Sequence, residues 1–144
     1  MNEQISVAIA ILYRQNQFLM QLRDDIPGIL YPGHWGLFGG HIEPGELPDA
    51  AVIRELQEEI SYTPPTISKF GCYLDTRVVR HVYHAPLAVE PQQLVLNEGW
   101  DLDLLTPNQI LQGQCYSAKA GEIKPLGVPH QQILLDFLKL NPYS

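Results

Sequence analysis

Cysteine is scarce: Cys72 and Cys115 are the only two, and no CxxC spacing exists. That excludes a disulfide framework and a cysteine-ligated zinc site, and leaves both thiols as ordinary core or surface residues. Positive charge is also short. Nine Lys and Arg stand against sixteen Asp and Glu, a formal net charge of −7, which argues against a nucleic-acid partner. No apolar run approaches the length that spans a bilayer, and the opening MNEQISVAIA carries no basic stretch ahead of its apolar residues. No membrane partner is therefore expected, and the cytoplasm is the expected location. Internal repeats and linkers are missing as well. The 144 residues, 45% of them hydrophobic, are expected to form one domain, residues 1–144, with a sizeable core, acting as a monomer or homodimer.

What the chain does have is concentrated between Gly39 and Tyr62, GGHIEPGELPDAAVIRELQEEISY. The first half reads as a glycine-rich loop, the second as a helix. Pro48 suits a first helical position and Asp49 the positive helix end. Val52, Leu56 and Ile60 repeat every four residues as the buried stripe, with Ile53 extending it. Thr63-Pro64-Pro65 stops the helix. Residues three and four apart share a helix face, so Glu55, Glu58 and Glu59 project together. Carboxylates so placed repel one another unless something positive sits among them. A hard divalent cation with oxygen ligands, Mg²⁺ with Mn²⁺ as its substitute, meets that need. The plainer account is a solvated helix face on which Arg54 and Glu58 form an ordinary i,i+4 pair. Gly39, Gly40 and Glu46 at their spacing set the stretch apart from that account.

Around this stretch the periodicity predicts strands. ISVAIAILY (5–13) is a continuous apolar run, QFLMQLR (17–23) alternates after a turn at Asn16, and Trp35 to Phe38 lead into the glycines. Residues 67–76 and 78–89 are two further strands, 90–99 a loop, and DLDLL a short strand. Thr106, Pro107 and Gln109 predict a capped helix ending by Gly113. Residues 113–127 are polar and read as irregular, and a last helix over 129–140 buries Ile133, Leu134, Phe137 and Leu138. His81 and His84, three apart on a strand, face opposite ways and share no metal. Arg77 and Arg80 either serve phosphates or face solvent. Strands with a central and a terminal helix imply an α/β sandwich.

At Gly40, Glu46, Arg54, Glu55, Leu56, Glu58 and Glu59 the chain resembles the Nudix hydrolase family. Its pattern is Gly, five residues, Glu, seven residues, then Arg-Glu-aliphatic-x-Glu-Glu-x-Gly-aliphatic. The six of these that the pattern fixes to one residue type, all but Leu56, coincide by chance at one register with a probability on the order of 10⁻⁷. Ser61 and Tyr62 depart from the last Gly and aliphatic residue, and Phe38 stands where many members have Pro. A left-handed helix exit is expected at Ser61. The resemblance implies an α/β/α sandwich with a mixed sheet and a loop–helix–loop catalytic box. It implies a Mg²⁺-dependent diphosphatase acting on a nucleoside diphosphate linked to another moiety, a nucleoside triphosphate or a nucleotide sugar. The Gly39 carbonyl, Glu55, Glu58 and Glu59 would hold metal, and Arg54 would hold the glutamates. Glu46 would brace the loop or bind metal through water. Glu55 would be the base, or else Glu98 in the 90–99 loop, with Glu90 in reserve. Arg23 either meets a substrate phosphate or is an ordinary surface arginine at a strand end, and the same choice holds for His41 in its loop. Two rivals are an isoprenoid-diphosphate isomerase of the same fold and a non-catalytic nucleotide-binding module. The first needs a strand cysteine, and only Cys72 is placed for it. The second usually lacks box glutamates, all of which are kept here.

Overall fold

The computed structural model describes residues 4–140. In chain order the elements are β1 (Ile5–Arg14), β2 (Gln17–Leu22), β3 (Trp35–Gly36), β4 (Phe38–His41), α1 (Pro48–Ile60), β5 (Ser68–Leu74), β6 (Val78–Pro86), β7 (Asp101–Leu105), α2 (Pro107–Gln112), β8 (Gln114–Ser117), β9 (Glu122–Pro125) and α3 (Val128–Leu140), with a single 3₁₀ turn at Pro91–Gln93. They form two compact units. One holds the chain up to Leu12 with Phe38–Asn97, and the other holds Tyr13–Leu37 with the chain from Glu98 on. No helix among the described residues is long and apolar enough to cross a membrane.

In the first unit, Ala8 to Leu12 of β1 are buried without alternation, as a strand covered on both faces requires. β4 lies antiparallel to β1, with Gly39 opposite Ile9 and Gly40 opposite Ala8. β5 and β6 form an antiparallel ladder bulged between Lys69 and Gly71. At its turn Asp75 accepts from the backbone N–H of Arg77 and Val78 and from Arg80 Nη1 at 2.6 Å. Arg80, expected at a phosphate or in solvent, is instead 4% exposed and paired with Asp75. Burying a guanidinium is costly unless a carboxylate pairs with it, and that carboxylate is held near pKa 2, chiefly by Arg80.

Helix α1 begins at Pro48 after Leu47, which offers no side-chain cap. Pro has no N–H to leave orphaned there. Asp49 in the first turn accepts from the buried Tyr83 hydroxyl, which ties the helix start to β6. Ala51, Val52, Leu56, Glu59 and Ile60 are the buried residues. Ile53, expected to extend the stripe, is 37% exposed. One residue past Val52 it is turned about 100° away, whereas Glu59, seven past Val52, returns to within about 20° of it. The place in the stripe thus goes to a carboxylate.

In the second unit Gln15 and Asn16 both take positive φ, 51° and 62°, the twist a two-residue hairpin demands. Phe18 of β2 is thereby set opposite Tyr13. β2 pairs antiparallel with β3 and β7, and Trp35 bridges Leu126 in parallel. Phe137 of α3 packs on Phe18 and Tyr13, ring centroids 6.0 and 5.8 Å apart; Leu138, expected in the core, is half-buried. The capping box of α2 is present in full, from Thr106 to Gln109. Residues 113–127, read as irregular, contain the β8–β9 hairpin. Its period-two signal is carried by Cys115 and Ser117 alone, which are buried while Gln114 and Tyr116 are exposed. Ser117 Oγ donates to Asp101 at 2.7 Å, so a polar bond does the anchoring that apolar residues would have advertised.

α1 ends at Ser61 in the left-handed region, φ 53° and ψ 41°. A side chain there costs about 1 kcal/mol that glycine avoids. Ser61 Oγ also accepts from Asn97 at 3.0 Å, an exposed bond worth less than that. Ser61→Gly is therefore expected to raise the melting temperature slightly; a thermal melt of the two proteins checks it, and a fall would mean that the Asn97 bond outweighs the backbone strain.

Candidate functional site

The box stretch is built around one guanidinium. Arg54 grips Glu46 with two bonds, Nε to Oε2 at 2.8 Å and Nη2 to Oε1 at 2.9 Å. Its Nη1 reaches Glu55 at 3.0 Å and both oxygens of Glu58 at 3.3 Å. Nη2 also donates to the His41 carbonyl at 3.0 Å. The guanidinium fork has five donors in a plane, which suits this fan of acceptors. Glu46 in turn accepts from the Glu43 N–H at 3.0 Å and so closes the loop ahead of the helix. The bond from Arg54, then that from Glu43, hold the Glu46 carboxyl at about pKa 2. The same bond with Glu46, more than those with Glu55 and Glu58, pushes the Arg54 pKa up.

The two glycines are required by close approach. A Cβ on Gly40 would lie 2.6 Å from the Glu55 carboxyl carbon. Gly39 has φ +143°, and a Cβ there would meet the Ala8 carbonyl at 2.1 Å and Ile9 Cα at 2.6 Å. With no side chain in the way, Gly39 N–H donates to Glu59 Oε1 at 2.8 Å. This bond satisfies a carboxylate whose residue is only 4% exposed, the condition for burying it.

The structure thus brings Gly39, Gly40, His41, Glu46, Arg54, Glu55, Glu58 and Glu59 together in the first unit. His41 contributes its backbone carbonyl, and its side chain is exposed. Glu90 closes the capping box of the 3₁₀ turn with Gln93. Arg23 and Glu98 belong to the second unit. Arg23 follows β2, and its Nε is buried with no hydrogen-bond partner among the described residues. Glu98 is exposed, between Asn97 and Gly99 (φ 104°). The positive charge among the helix carboxylates is Arg54 itself. It draws Glu46, Glu55 and Glu58 while Glu59 turns to Gly39. Among the described residues no three His, Cys, Asp or Glu side chains are gathered into a metal-holding group. The donors are nonetheless all hard carboxylate oxygens, four against one guanidinium, and the surplus negative charge fits a hard divalent cation. Two partners had no local signal in the sequence: Tyr83 on Asp49, and Asn97 on the end of α1.

A model of the NUDIX domain matches residues 2–125. The chain belongs to the Nudix family. An 8-oxo-dGTP diphosphatase of Escherichia coli (strain K12) is 59% identical over 32 residues, 22% of this chain and 25% of that protein. The nucleoside triphosphatase NudI of Escherichia coli O1:K1 / APEC is 33% identical over 57 residues, 40% of each chain. The chain thus aligns with less than half the length of these relatives. The MutT protein from Methanosarcina mazei Go1 superposes with a TM-score of 0.73 at 20% identity, covering 97% of this chain and 96% of that one. This likeness establishes the fold, an α/β architecture with a mixed sheet and helices, as the box resemblance implied.

Because Glu46 is more acidic folded (about 2) than its ordinary 4.5, its bridge to Arg54 stabilises the fold fully above pH 4.5 and is lost as pH falls toward 2. Glu46→Gln is expected to melt below the native protein at pH 7, with the gap closing between pH 4.5 and 2. Melts across that range check it.

Proposed function

We propose that this protein is a metal-dependent diphosphohydrolase that cleaves the diphosphate of a nucleoside diphosphate derivative, with nucleoside triphosphates favoured over nucleotide sugars. The observation that carries this reading is the glycine-framed carboxylate cluster, whose negative charge Arg54 only partly offsets. The relatives named as 8-oxo-dGTP diphosphatase and nucleoside triphosphatase support the choice of substrate class. When bound, Mg²⁺, or Mn²⁺ in its place, neutralises diphosphate oxygens and acidifies a water. Glu58, Glu59 and the Gly39 carbonyl would hold it, with Glu55 beside them.

The chain's own residues do the rest. Arg54 holds Glu46, Glu55 and Glu58 through charge-assisted bonds, so that helix and loop keep one geometry. Glu55 takes the proton from the attacking water, with the loop carboxylate of Glu98 as the alternative. Arg23, whose Nε has no hydrogen-bond partner among the described residues, offers a guanidinium to a substrate phosphate, and His41 lies in the loop where phosphate would pass. Residues 1–144 act as one domain, in the cytoplasm, as monomer or homodimer, without nucleic acid. All box glutamates are in place, which favours an enzyme over a binding module. Cys72, the cysteine that the isomerase reading would need, is exposed on β5.

EDTA is expected to abolish product release from a panel of nucleoside triphosphates, oxidised purine forms and nucleotide sugars, with Mg²⁺ or Mn²⁺ restoring it. Glu58→Gln and Glu59→Gln are each expected to lower kcat by roughly a hundredfold while the fold survives, since a glutamine oxygen still accepts from Gly39 N–H. Full activity in either removes that residue from the site.

The base is read from pH–rate profiles of Glu55→Gln and Glu98→Gln at saturating Mg²⁺. Glu55→Gln is expected to lose the acidic limb with metal affinity retained. Loss of that limb in Glu98→Gln, with metal binding lost in Glu55→Gln, reverses the assignment.

A further inference from the structure

An α-helix leaves its last four carbonyls without partners inside the helix. In α1 these are the carbonyls of Gln57, Glu58, Glu59 and Ile60, and each one is taken. Ser61 N–H donates to Gln57 at 3.1 Å. The other three acceptors are met by the segment just before β7. Asn97 Nδ2 donates to the Glu58 carbonyl at 3.0 Å. The Asn97 backbone N–H donates to the Glu59 carbonyl at 2.8 Å, and Val95 N–H to Ile60 at 3.4 Å. A side-chain amide nitrogen has two protons. The second goes to Ser61 Oγ at 3.0 Å.

These bonds converge on the two glutamates that matter most to the proposed site. One residue, Asn97, holds the main chain of both Glu58 and Glu59. It does so where the chain departs from the family pattern, which has glycine in place of Ser61. The next departure is used similarly: the Tyr62 hydroxyl accepts from Ala88 N–H at 3.0 Å, at the other end of the same loop. A glycine exit would need no such partner. A serine exit supplies an oxygen that gives the Asn97 amide a fixed orientation. An aspartate at position 97 would turn an acceptor toward the Glu58 carbonyl, and an alanine would offer nothing.

Resting on the metal-dependent reading above, we propose that Asn97 is a positioning residue for the metal site: by fixing the main chain of Glu58 and Glu59 it sets the directions of their carboxylates. Groups that orient metal ligands without touching the metal typically change affinity by about tenfold or more. The test is Mn²⁺ titration of the substrate-free protein, by calorimetry or by the loss of the free-ion paramagnetic resonance signal. Native protein is compared with Asn97→Ala, with Asn97→Leu, which keeps the side-chain shape but has no donor, and with Ser61→Ala. Both Asn97 variants are expected to bind Mn²⁺ about tenfold more weakly and to need proportionately more metal for half-maximal rate. Ser61→Ala is expected to lose less, because the Glu58 carbonyl keeps its donor. Unchanged Mn²⁺ affinity in both Asn97 variants overturns the proposal, whatever happens to their melting temperatures. Native protein that binds no Mn²⁺ overturns the metal reading itself and this proposal with it.

Discussion

Three carboxylates, those of Glu46, Glu55 and Glu58, draw on the single guanidinium of Arg54 while a fourth, Glu59, turns to Gly39, and how Arg54 is shared among the three determines the charge left in the stretch. Its bidentate grip on Glu46, at 2.8 and 2.9 Å, is the strongest contact and joins the loop to the helix across eight residues. The contacts to Glu58 at 3.3 Å are longer, and Glu58 is 54% exposed at its side chain. Arg54 therefore spends most of its charge on the residue that braces the loop and least on the one nearest solvent. The negative charge left over is on the helix side, at Glu55, Glu58 and Glu59, where a cation is needed if the cluster is to lose its mutual repulsion.

The rest of the local structure follows from making room for that cluster. Glu59 falls in the apolar stripe of α1 by helical period, and a carboxylate can be buried there only with a donor. Gly39 supplies one because its missing side chain lets β4 run against β1 with its N–H turned toward the helix. Gly40 then clears the space into which the Glu55 carboxylate fits. A Cβ at Gly39 would collide with β1, and one at Gly40 would displace the Glu55 carboxylate. Glycine here is a matter of contact distance, and at Gly39 of backbone angle as well.

The sequence was most legible where one local rule decides. The continuous apolar run gave β1, and the turn at Asn16 gave its hairpin. Thr106 to Gln109 gave the start of α2, and Pro48 the start of α1. The αL exit at Ser61 was also readable, because a glycine position in the pattern implies a left-handed backbone. What failed was what depends on partners far along the chain. Ile53 was assigned to the core by hydrophobicity, although the helical period puts Glu59 there instead. Arg80 gave no sign of burial, because its partner Asp75 lies in a turn whose closing was not visible. The β8–β9 hairpin hid because its inward residues are Cys115 and Ser117, and Ser117 is anchored by Asp101, sixteen residues away. For the candidate site, spacing identified every box residue that lies together. It could not show that the central positive charge would be shared so unequally.

At the end of the box the backbone was legible but the partner of Ser61 was not. A pattern that calls for glycine treats serine as a defect at a cost of about 1 kcal/mol. In the folded chain the same serine is an acceptor, and Asn97, thirty-six residues later, uses it while donating to the carbonyl of Glu58. A substitution that looks tolerated from one end of the contact is, from the other, half of a pair. The helix terminus that carries Glu58 and Glu59 is held by a loop as well as by its own hydrogen bonds. The directions of those carboxylates are thus a property of the tertiary fold. A helix excised with its perfect spacing would keep the glutamates on one face, but without Gly39, Gly40 and Asn97 it would have neither the donor that buries Glu59 nor the contacts that fix the last turn.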